Sequence, residues 1–106
     1  HSNCGGVEYS YKTLLDKKNI NDFEYINQWV SCLQNSYNNI PNDFSETEKI
    51  TFFEQENIKQ SIKNLHEYNF IDKLIKENKL NVIGLWYKIN SGLIKVLDNN
   101  SFIDLD

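Results

Sequence analysis

Apolar residues in the stretch INDFEYINQWVSCLQNSYNN fall at Phe23, Ile26, Val30, Leu33 and Tyr37, spacings of three and four that share one helical face. Asn21 or Asp22 can cap the start, and Asn38-Asn39-Ile40-Pro41 ends the helix. Trp29 and Cys32 widen the same stripe, so Cys32 is expected as a small buried core residue. The next stretch, FSETEKITFFEQENIKQSIKNLHEY, opens with Ser45 and Glu48 at capping-box spacing. A long helix should start there, with Ile50, Phe53, Ile58, Ile62 and Leu65 buried and Glu54, Glu56, Lys59 and Lys63 towards solvent. After Asn69, FIDKLIKEN supports a further short helix.

Beyond it the period changes. LNVIGLWYKI, Leu80 to Ile89, is apolar at alternating and intervening positions alike, as expected of a strand covered on two sides. NSG follows as a three-residue connection with Gly92 suited to positive φ, and LIKVLD returns as an antiparallel strand. Helices followed by a doubly covered strand and a terminal hairpin predict an α/β layered fold whose earlier strands lie outside the sequence, since a two-stranded sheet alone leaves much apolar surface bare. No internal repeat or linker divides the 106 residues, and the single expected domain spans 1-106.

Charge narrows the partners. Fifteen acidic residues against eleven basic ones give a net charge of −4, and no lysine run is interleaved with aromatics, so nucleic acid is not expected. No stretch reaches the roughly 18–20 apolar residues of a membrane span and no signal segment is present. A cytoplasmic setting is expected, and two cysteines in dissimilar surroundings fit a reducing one better than a disulfide scaffold. The sequence contains no methionine, which suggests an N-terminally truncated piece of a longer protein. All the basic residues are lysines, so a reaction that needs a guanidinium must import it.

The candidate chemistry lies in the opening HSNCGG. Imidazole and thiolate are common zinc ligands, and His1 and Cys4 stand three residues apart, so one turn of backbone can supply both. Gly5 and Gly6 would let the chain bend tightly beside them. A His and a Cys at this distance also arise by chance, and the residues alone equally suit a polar N-terminus. His66, near the end of the long helix, has no second ligand close in sequence.

HSNCGGV resembles the second zinc motif of the β-class carbonic anhydrases, His-Ser-x-Cys-Gly-Gly, and the rest of the chain follows that family's order. INQWVSCL is similar to its tryptophan-bearing helix, and EQENIKQSIKNL to its Glu-x-x-Asn-Val-x-x-Gln-x-x-x-Leu stretch. LNVIGLWYKINSGLIKVLD is similar to its Gly-Trp-Tyr-Asp-Ile-x-Thr-Gly strand and turn, with Gly84, Trp86, Tyr87, Ile89 and Gly92 in register and Lys88 and Ser91 differing. The resemblance implies the C-terminal portion of a parallel-sheet α/β fold, with helices and a terminal antiparallel hairpin. It implies Zn2+ held by His1 and Cys4, with CO2 and bicarbonate as substrates and a homodimer or higher homo-oligomer as the assembly. In that family zinc lowers the pKa of bound water towards about 7, which makes reversible CO2 hydration possible at neutral pH. The family's first motif, Cys-x-Asp-Ser-Arg, which carries a further thiolate and an aspartate–arginine pair, is not in this sequence, so no catalytic residue is assigned. The excerpt by itself is expected to be inactive. Two other readings remain: a non-catalytic α/β interaction module on the same scaffold, and a hydrolase of carbon disulfide or carbonyl sulfide.

Overall fold

The computed structural model describes residues 1–16 and 24–105. Their elements run α1 (Gly5–Asp16), α2 (Glu24–Cys32), α3 (Gln34–Asn38), α4 (Glu46–His66), α5 (Asn69–Lys76), β1 (Leu85–Lys88), β2 (Leu93–Asp98) and β3 (Ser101–Asp104). The chain divides into two compact units, one of Asn3–Asn57 and one of His1–Ser2 with Ile58 onward.

In the first unit, α1 to α3 and the start of α4 enclose Val7, Tyr11, Leu33 and Phe53, with Cys4, Leu14, Tyr37, Ile40 and Ile50 packed around them. The rings of Tyr11, Tyr37 and Phe53 form a triangle with centroids 5.9, 6.3 and 6.1 Å apart, within the range where tilted and edge-on aromatic pairs attract. Ser10 on α1 and Ser36 on α3 are fully buried, and their small side chains suit closely packed helices. α1 was not expected from the sequence, yet Val7, Tyr11 and Leu14 keep a helical stride.

The single expected helix through Trp29 is two short ones. Near the break, Ser31 Oγ and Cys32 Sγ both donate to the Gln28 carbonyl, at 2.6 and 3.4 Å. The ladder breaks at Leu33, whose N–H turns to the Val30 carbonyl at 3.0 Å. Cys32 is exposed and not part of the core, a correction to the reading above. It stands two residues after buried Val30, about 200° around the helix, and so on the opposite side. Phe23 and the caps expected at Asn21 or Asp22 lie outside the described residues.

α4 begins where the capping box placed it: the Ser45 N–H donates to Glu48 Oε2 at 2.7 Å, and the Glu48 N–H to Ser45 Oγ at 3.3 Å. Phe53 is fully buried, and Glu54, which the pattern had turned to solvent, is buried beside it in sequence. The stride of four from Ile50 through Glu54 to Ile58 and Ile62 runs straight through the apolar row, which is the signal that was passed over.

In the second unit, a three-stranded antiparallel sheet has β2 in its centre. Leu85 pairs with Val96 and Lys88 with Leu93, while Val96 pairs in turn with Ile103. Gly92 takes φ +72° in the β1–β2 turn and donates its N–H to the Lys88 carbonyl at 2.8 Å. The connection is four residues long, because β1 stops at Lys88. The unanticipated β3 follows a tight turn at Asn99 and Asn100, both with positive φ, the conformation that asparagine tolerates best after glycine. A Cβ on Gly84 would lie 2.9 Å from Ile62 Cδ1 and 3.1 Å from both Ile58 and Leu97, so a larger residue there would have to displace side chains of α4 and β2.

The expected strand Leu80–Ile89 is therefore shorter and covered on one side only. Gly84 and Trp86 are buried, whereas Leu85 and Tyr87 are about half exposed. Pairing with β2 supports only the stretch from Gly84 on, through the Leu97 N–H to the Gly84 carbonyl at 2.8 Å. All strand pairs among the described residues are antiparallel.

Candidate metal centre

His1 is exposed, and its Nδ1 lies 2.8 Å from the Ser2 carbonyl oxygen. A carbonyl can only accept, so Nδ1 carries the hydrogen, and in the neutral ring Nε2 is left as the lone-pair donor. Ser2 is buried against β1: its N–H donates to the Tyr87 carbonyl at 2.8 Å, and its Oγ accepts from the Ile89 N–H at 2.9 Å. The serine hydroxyl thus takes a ladder bond that a strand would make with its carbonyl, and the carbonyl is left for the imidazole.

Asn3 is the bend. It has φ +55°, and its N–H donates to Glu54 Oε1 at 3.1 Å. Cys4 then heads α1, its carbonyl accepting the first helical bond from the Glu8 N–H at 2.9 Å. Its thiol is free and half-buried. The glycines do not make the bend as expected from the sequence; both are helical. A Cβ on Gly6 would meet the Trp29 ring at 3.0 Å, so Gly6 serves helix packing, while nothing lies within 4 Å of one built on Gly5.

Among the described residues, no three His, Cys, Asp or Glu side chains gather into a group that could hold a metal. The donor pair His1 and Cys4 has the chemistry of a zinc site and falls short of its usual number of ligands. His66 is not joined to it. The His66 Nδ1 lies 3.1 Å from Asp72 Oδ1, and Asp72 Oδ2 accepts from Lys76 Nζ at 2.6 Å. The Lys76 hydrogen bond first, and then His66, hold the Asp72 carboxyl below the usual carboxylate range. The residues that sequence reasoning missed are Ser2, which bonds to Tyr87 and Ile89, and Glu54, which accepts the Asn3 N–H.

Helices and a three-stranded antiparallel sheet, with an imidazole and a thiol three residues apart in the sequence, define an α/β protein with a partial transition-metal donor set. A family model described as carbonic anhydrase matches residues 1–94, and the chain belongs to that family. The match takes in His1, Cys4, β1 and the turn after it and stops inside β2, leaving β3 outside it. No curated protein and no solved structure matches the chain. No helix among the described residues is long and apolar enough to cross a membrane.

Proposed function

We propose that His1 and Cys4 are two ligands of a catalytic zinc in a carbonic anhydrase, acting on CO2 and bicarbonate. The observation that carries this reading is the family match over residues 1–94, which includes both donors. Zinc, when bound, supplies the Lewis acidity that makes water a nucleophile near neutral pH. The chain's own contribution is to present two donors: Nε2 of an imidazole whose tautomer is set through Nδ1, and a thiol at the head of α1. With two cysteines, one of them exposed and elsewhere, and no arginine, the remaining thiolate and the aspartate–arginine pair come from another polypeptide segment. The working assembly is a homo-oligomer.

The test joins this chain, through His1, to a family segment carrying Cys-x-Asp-Ser-Arg and measures CO2 hydration by stopped-flow indicator change, with zinc content on the same samples. The joined protein should hold about one zinc per chain and be active, and His1→Ala or Cys4→Ala should abolish both properties. His66→Ala should leave both intact. The 106-residue chain alone should not exceed the uncatalysed rate. The restricted donor set favours a second reading, a non-catalytic interaction module, and a joined protein that folds without taking up zinc would establish it. A zinc-loaded protein inert to CO2 that hydrolyses carbon disulfide would keep the metal and change the substrate.

A further inference from the structure

Glutamate is seldom buried, because withdrawing a carboxylate from water is costly unless donors meet its oxygens. Glu54 has 5% of its surface exposed. It follows Phe53, the fully buried ring at the centre of the first unit, and occupies the Ile50–Ile58 row of α4. Its Oε1 accepts the N–H of Asn3, the residue directly before Cys4. Asn3 is left-handed, a conformation that L-residues adopt at a cost and keep only where surroundings hold them in it. The next backbone group along, the Cys4 carbonyl, is already committed to the first bond of α1.

Resting on the assignment of Cys4 as a zinc ligand, we propose that Glu54 is a positioning residue for the Cys4 thiolate. It touches no reacting group. By anchoring the Asn3 N–H it holds the left-handed bend, and the bend fixes the direction in which the Cys4 side chain leaves the head of α1. Without an acceptor at this place the part-buried Asn3 N–H loses its protein partner, and the bend is free to relax towards the extended region. A carboxylate suits the position because it can only accept.

The test uses the 106-residue chain with Cys32→Ser, so that Cys4 is its only thiol, and Cd2+ as the metal probe, read by the thiolate-to-metal absorption. Glu54→Leu removes the acceptor at similar volume, and Glu54→Asp shortens its reach while keeping the charge. Glu54→Gln preserves an accepting oxygen. The Leu and Asp variants should bind Cd2+ at least about tenfold more weakly, the size of effect expected when a partner behind a metal ligand is lost, and Gln should stay close to the parent. Alkylation of Cys4 by iodoacetamide, measured without metal, should change severalfold in Leu and Asp and not in Gln. Circular dichroism and the melting midpoint separate loss of fold from loss of aim, and Asp serves if Leu does not fold. Unchanged affinity and alkylation in folded Leu and Asp variants would overturn the proposal, as would Gln losing as much as they do. If the parent binds no Cd2+ through Cys4, the metal assignment fails, and the alkylation pattern alone decides whether Glu54 aims the thiol.

Discussion

Tyr11 lies with its ring buried against Tyr37 and Phe53 while its hydroxyl donates to Glu46 Oε2 at 2.8 Å. Burial foremost, and then the hydrogen bond and charge of Glu46, push its pKa up from 10.0 to about 12. The fold therefore favours the neutral phenol. That contribution is fully present below pH 10, where the unfolded tyrosine is still protonated, and is lost as pH rises through about 12. Tyr11→Phe should cost about 1 kcal/mol near neutrality, since Glu46 can return to water when its donor is removed. The difference between parent and variant should vanish as pH climbs from 10 to about 12, measured by urea unfolding across that range. A difference that stays constant with pH would mean that ring packing, and not the hydroxyl, is what Tyr11 contributes.

At the scale of elements, α4 is the helix whose start was plainest. Reciprocal bonds between Ser45 and Glu48 satisfy two of the donors that a helix start leaves open. Ser45→Ala should destabilise the chain by about 1 kcal/mol. Amide exchange offers the sharper measurement: protection should fall first at Glu48 and its neighbours, and a uniform loss along α4 would show that the cap does not act locally. α2 and α3 teach the opposite lesson. Their apolar stripe was correctly placed at Val30 and Leu33, but the helix is interrupted at Leu33, whose N–H turns to the Val30 carbonyl, a change of backbone bonding that a hydropathy pattern does not encode.

At the scale of the molecule, the sheet has one face against α4 at Gly84 and another carrying Leu85, Tyr87, Ile103 and Leu105, each about half exposed. The strand register aligns Leu85, Val96 and Ile103 in one rung and Tyr87 with Ile94 in the next. A contiguous apolar surface of this kind drives association. Sedimentation of the chain should show concentration-dependent self-association, and Leu85→Lys with Ile103→Lys should shift it to monomer without loss of helical dichroism. A parent that stays monomeric at the highest concentrations reached would show the face to be tolerated by water.

The sequence by itself determined the elements whose signals are local: the capping box of α4, the short helix α5, and the hairpin about Gly92, where φ is +72°. It also offered His1 and Cys4 as candidate donors, because His-Ser-x-Cys-Gly-Gly is a contiguous motif, and the family resemblance it carries agrees with the family match. The tertiary structure decided what depends on which side of an element meets another. It placed Glu54 inside and Cys32 outside, although each belongs to an apolar-looking run, because burial depends on the angle around the helix and on the neighbour found there. It moved the bend beside the donors from the glycines to Asn3, since Gly6 is needed where the Trp29 ring approaches α1 and a hydrogen bond from 51 residues away holds Asn3 left-handed. A contact so distant along the chain leaves no periodicity to read, and only folding brings its two ends together.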